Sequence, residues 1–83
     1  MSDLRTLRNI GAELEKKLIS VDIATADELR KAGSDEAFVR LKSRYPNVCL
    51  VHLYALEGAI TDMEYNELDD DVRQRLKNFC DRL

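Results

Sequence analysis

The sequence predicts an all-α domain, a compact bundle of five to six short helices. Three observations lead there. Apolar residues recur at spacings of three and four along most of the chain, the period of a helix face and not the alternation of a strand. Helix punctuation is dense, with Thr25 and Ser34 at starts, Gly33 at a stop, and Pro46 disfavouring helix in the residue before it. The longest apolar stretch, Val48 to Ile60, covers thirteen residues, which exceeds the usual strand.

Taken in order, Ser2 is placed to cap a brief first helix that turns at Asn9 and Gly11. From Ala12, the residues Leu14, Leu18 and Val21 mark one helical face, and that helix ends near Ser20. Thr25 starts a third helix, with Glu28 three positions on to complete a capping box. Ala26, Leu29 and Ala32 form its apolar face, and Gly33 stops it. Ser34 is then expected to cap a fourth helix, with Asp35 and Glu36 at its positive end and Ala37, Phe38, Leu41 and Tyr45 facing inward.

The run from Val48 to Ile60 is read as the central helix. Gly58 within it costs about 1 kcal/mol relative to alanine, so a close helix–helix contact is expected there. Asn66 or Asp69 starts a last helix, whose stripe is Val72, Leu76, Phe79, Cys80 and Leu83. Asp69, Asp70 and Asp71 lie where the helix dipole favours negative charge.

Residues 1–83 form one domain, without linker or repeat. With 45% hydrophobic and 35% charged residues, the chain has the make-up of a folded domain and not of a disordered segment. The net charge is −3 and uneven: residues 1–46 carry nine basic and eight acidic side chains, residues 47–83 four and eight. That balance argues against a dedicated non-specific nucleic-acid binder but leaves room for a local basic face. "MSDLRTLRNI" has no apolar signal segment, and no run approaches the ~18 apolar residues of a membrane span. The expected setting is the reducing cytoplasm, away from any membrane. Cys49 and Cys80 are expected as small core hydrophobes, not a disulfide.

Enzymatic motifs fail in turn. His52 is the one histidine, so HExxH and two-histidine metal sites cannot form. Cys49 lies three residues before it on the same helical face, but a catalytic pair needs an accessible, electropositive site. Leu50, Val51 and Leu53 make that neighbourhood apolar. "DMEYNELDDD" resembles a calcium loop from Asp62, yet Glu67 holds the glycine position and Arg73 the bidentate glutamate position. No glycine-rich phosphate loop or serine elbow is present. The expectation is a non-enzyme with no cofactor and no metal.

The segment "LRNIGAELEKKLISVDIATADEL" resembles the helix-hairpin-helix motif, which makes the bundle helix-hairpin-helix-like (SAM-like) in that part. In that motif a tight turn presents backbone amides to a phosphate, supported by a helix N-terminus. The candidate binding residues are Arg8, Asn9, Ile10, Gly11, Lys16 and Lys17, with Arg5 near them. Asn9 stands where the motif has a glycine. Asparagine tolerates left-handed backbone angles, but its side chain crowds the phosphate position. Glu13 and Glu15 compete for the same helix dipole. The expectation is a hairpin that packs before it binds.

Over Leu4 to Phe79, the order "LRNIGAELEKKL", "TADELRKAGSDEAFVRLK", "LYALEGAI" resembles the C-terminal domain of the TfoX/Sxy competence regulators. In that family asparagine is the expected residue before Ile10-Gly11. The resemblance implies a helical, non-enzymatic domain tied to transcriptional control of DNA uptake, where TfoX-like proteins act as coactivators beside a cyclic-AMP-responsive DNA-binding regulator. It also implies an α/β domain ahead of this one; the Met1-Ser2 start is expected for a stand-alone member or an excised domain. The leading expectation is a protein partner within the transcription machinery or its regulator. Weak, sequence-independent DNA binding through segment 7–18 is the alternative, and homodimerisation the third.

Overall fold

The chain's punctuation sets the boundaries of its helices. The computed structural model describes residues 3–83, so the expected cap at Ser2 lies outside the described residues. A 3-10 turn at Leu4–Thr6 precedes α1 (Ala12–Ser20), α2 (Ala26–Arg44), α3 (Leu50–Thr61) and α4 (Asp70–Asp81). No strand occurs among the described residues. Among the described residues, four α-helices stand where five to six were expected, for two reasons. Leu4–Thr6 closes a single turn only. The expected third and fourth helices follow each other without a connecting loop inside α2, separated by Gly33 alone at φ 81°, ψ 162°. A left-handed φ suits glycine, which has no Cβ to clash.

Thr25 caps α2 as its sequence suggests. Its Oγ1 accepts from the Glu28 amide at 3.1 Å, and Glu28 Oε1 accepts from the Ala24 amide at 3.0 Å. Asp3 adds a carboxylate to the same helix start, Oδ1 accepting from the Ala26 amide at 2.7 Å. Ser34 does something other than capping. Its buried hydroxyl donates to Glu57 Oε1 at 2.6 Å, and Glu57 Oε2 lies 3.5 Å from Arg75. This polar chain ties α2 to α3 and α3 to α4.

The apolar central helix packs chiefly on α2 and then on α4. Leu53, Leu56 and Ala59 of α3 share one core with Phe38 and Leu41 of α2 and Leu76 of α4. Leu4, Ile10, Leu18 and Ile23 close that core from the hairpin side. Each fully buried leucine contributes about 1.5–3 kcal/mol, so the leucine and isoleucine spacing read from the sequence is the main source of stability. Val51 departs from this pattern: it lies on the core helix yet is 54% exposed.

The cysteines correct one expectation. Cys80 is half-buried against the core, but Cys49 is exposed and stands at the N-cap of α3. Its backbone amide donates to His52 Nδ1 at 3.1 Å, and its Sγ lies 3.6 Å from the same nitrogen. The apolar run therefore begins its helix two residues later than hydrophobicity alone suggests, at Leu50 and not Val48, with the thiol and imidazole serving the helix start. No helix among the described residues is long and apolar enough to cross a membrane.

Candidate functional site at the hairpin

Asn9 takes the left-handed conformation, φ 69°, which asparagine tolerates better than most L residues. Its side chain then points into the fold. Nδ2 donates to the Met63 carbonyl at 2.9 Å and to the Ala55 carbonyl at 3.3 Å, and Oδ1 accepts from the Tyr65 amide at 3.2 Å. Both amide protons and the oxygen are engaged, so the residue brackets the hairpin to the C-terminal end of α3.

Gly58 makes that bracket possible. A Cβ there would run into the Met63 carbonyl and the Asn9 side-chain nitrogen. The close approach expected at Gly58 is real, but its partners are the loop after α3 and the hairpin, not another helix. Gly11 plays a milder role: it is the N-cap of α1 at φ −94°, with open space where a Cβ would stand.

Arg8 is turned to the acidic loop. Its Nε meets Asp62 Oδ1 at 3.0 Å and its Nη1 meets Glu64 Oε1 at 3.0 Å. The hydrogen bonds to Asp62 and then Glu64, reinforced by both charges, raise the guanidinium pKa above its ordinary value. Asp62 reaches that position because it caps α3 in the left-handed conformation, φ 60°. Sequence reading missed Asp62, Glu64 and Tyr65 as partners of the hairpin; an acidic pair directly after a helix end was the signal available.

The other candidates separate. Ile10 is buried in the core. Lys16 is exposed, whereas Lys17 lines a groove of about 380 Å³ between the start of α1 and α3. Asn9, Gly11, Glu13, Leu14, Val51 and Ala55 also line it. The structure thus brings Asn9, Gly11 and Lys17 to one groove, sends Arg8 to the acidic loop, and places Ile10 inside.

At the other end of α1, Lys17 Nζ lies 5.4 Å from the centroid of the Tyr45 ring and Arg44 Cζ lies 5.9 Å from it. The Tyr45 hydroxyl is 2.6 Å from Ser20 Oγ. The Ser20 hydrogen bond first, then Arg44 and Lys17, hold the phenol below its ordinary pKa against the opposing effect of burial. Below the folded-state pKa the phenol is neutral in both states and nothing is gained. Stability grows as pH rises through the folded pKa and is complete above the unfolded value. Arg44→Gln is expected to move the Tyr45 step of a near-ultraviolet absorbance titration to higher pH; an unchanged step would remove the cation from the account.

Comparison with known proteins places this geometry in a wider group. A family model described as the TfoX C-terminal domain matches residues 1–80. Among solved structures, a triclinic crystal form of an uncharacterized protein from Listeria monocytogenes superimposes with a TM-score of 0.93 at 42% identity, covering 95% of this chain and 90% of that one. A tetragonal form of a Listeria monocytogenes protein of unknown function gives a TM-score of 0.93 at 41% identity, covering 96% and 98%. A search of curated proteins found no match.

Proposed function

Because the chain belongs to the family of TfoX C-terminal domains, we propose that it is a non-enzymatic docking domain acting through protein–protein contacts in the transcriptional regulation of DNA uptake. Its setting in this reading is the cytoplasm, and it works without cofactor or metal. The observation that carries the reading is Val51. An apolar side chain 54% exposed on the core helix lines a groove together with apolar Leu14 and Ala55 and polar Glu13, Lys17 and His52. Exposed apolar surface among mixed polar groups suits a protein interface. The helix-hairpin-helix-like segment supplies one wall of that groove.

The test is Val51→Glu against purified partners, the cyclic-AMP-responsive regulator and RNA polymerase, by interferometry. The parent is expected to bind one of them, and the variant to bind at least about tenfold more weakly, the loss of one buried apolar anchor. An exposed position should change stability by no more than about 0.5 kcal/mol, so unfolding does not confuse the result. No binding to either protein, or equal binding by the variant, sinks the reading.

One observation favours the second reading, weak DNA binding through segment 7–18: Gly11 offers α1 no side-chain cap, leaving its first-turn amides open to an anion. Chemical-shift changes at Asn9–Glu13 on adding duplex DNA would support it. A third reading, homodimerisation, predicts concentration-dependent sedimentation that Val51→Glu abolishes.

A further inference from the structure

We propose that Lys17 and Arg44, held over the Tyr45 ring, form a phosphate-binding site, separate from the hairpin amides, at the C-terminal end of α1. Arg8, Arg30, Arg40, Arg75 and Lys77 lie within ion-pair distance of carboxylates, and Lys42 donates to the Pro46 and Val48 carbonyls. Among the described residues, Arg5, Lys16, Lys17, Lys31, Arg44, Arg73 and Arg82 have no carboxylate within 4.0 Å. Of these, Lys17 and Arg44 stand over the same aromatic ring.

Cations in the last turn of a helix often serve its carbonyls. Here other groups do much of that. Ser20 Oγ donates to the Lys17 carbonyl, the Val21 and Ile23 amides to Leu18, and the Tyr45 amide to Leu41. Lys17 keeps its N–H donors for a ligand, and Arg44 keeps those beyond its hydrogen bond to the Tyr45 hydroxyl, while the ring holds both in place, a contact worth about 0.5–1 kcal/mol at exposed sites. After the Ser20 hydrogen bond, these two cations also act on the phenol oxygen and help to lower its pKa. An ammonium and a guanidinium held over one ring suit the several oxygens of a phosphate.

The ligand chemistry is a phosphate group, carried by a nucleic-acid backbone or free in solution. Two cations cover the ring, so a base cannot stack on it without displacing them, and binding is indifferent to sequence. This site keeps Lys17 from the basic rim read in the sequence and replaces Arg8, whose charge is already paired, with Arg44.

The test is a titration of the isotope-labelled domain with a short DNA duplex at about 50 and 200 mM salt, with inorganic phosphate as a second arm. Saturable shifts are expected at Lys17, Ser20, Arg44 and Tyr45. The log–log salt slope should be about −0.9, for one neutralised phosphate, so affinity falls about three- to fourfold across that range. Lys17→Gln or Arg44→Gln alone should weaken binding at both salt concentrations, and the pair should abolish binding with the helical circular dichroism unchanged. Shifts with duplex alone identify the backbone as the source, and shifts with both identify any phosphate. No shift at these residues, shifts confined to Asn9–Glu13, binding that survives the double variant, or equal binding of polyglutamate would each overturn the site. Arg44→Gln, outside the groove that Val51 lines, is expected to weaken phosphate binding and leave partner binding unchanged, so the docking reading and the phosphate site fail separately.

Discussion

Gly58→Ala is expected to lower stability by about 3 kcal/mol, a fall in Tm of roughly 12–24 °C for a domain of this size. Within an exposed helix the same substitution would stabilise by about 1 kcal/mol, because alanine loses less conformational entropy. The sign reverses here because the new Cβ meets a backbone oxygen, the Met63 carbonyl, together with the Asn9 amide. That carbonyl has little freedom to retreat: the Met63 amide donates to the Gly58 carbonyl at 2.8 Å, closing the turn through Asp62. Moving it also pulls Asp62 and Glu64 away from Arg8. Gly11→Ala is the internal control, since a Cβ there meets open space and an altered N-cap costs no more than about 1 kcal/mol. Urea unfolding of both variants checks the contrast. Equal losses would show that the loop after α3 yields freely.

The helices were legible because their signals are local. Thr25 and Glu28 cap α2, Gly33 breaks it, and Leu14, Leu18, Leu29 and Leu41 lie where a period of 3.6 puts them. The number of helices was harder to read, because a break at Gly33 leaves two helical segments without a loop between them. Cys49 misled for a related reason: an apolar composition does not say which residue turns outward to cap the helix. The candidate site was legible in position but not in orientation. Nothing near Asn9 in sequence indicates that its amide meets carbonyls at positions 55 and 63, or that Arg8 faces Asp62 and Glu64. Those contacts span more than forty residues and depend on how α3 crosses the hairpin. The two most distinctive sequence pieces, "NIG" and "LYALEGAI", do meet in space, since Asn9 lies over Gly58. Each is there because of the other.

That pairing sets the second large effect, at Asn9. Asn9→Gly keeps the left-handed backbone but removes three hydrogen bonds, leaving the Ala55 and Met63 carbonyls and the Tyr65 amide to find water. A loss of about 2 kcal/mol is expected, since the groups are partly buried and rehydrate in part. Asn9→Ala adds the cost of a Cβ at φ 69°, about 1 kcal/mol more. Asn9→Asp should be as damaging as alanine or worse, because a carboxylate oxygen then faces two carbonyls. Stability in the order parent, glycine, alanine is thus the signature of a bracket. Combining Asn9→Gly with Gly58→Ala separates the two obstacles that a Cβ at position 58 meets. Removing the Asn9 side chain relieves one of them, so the two losses should fall short of additive by about 0.5–1 kcal/mol, as expected for residues in contact. Full additivity would assign the whole cost of Gly58→Ala to the Met63 carbonyl, and Asn9 would then act through its hydrogen bonds alone.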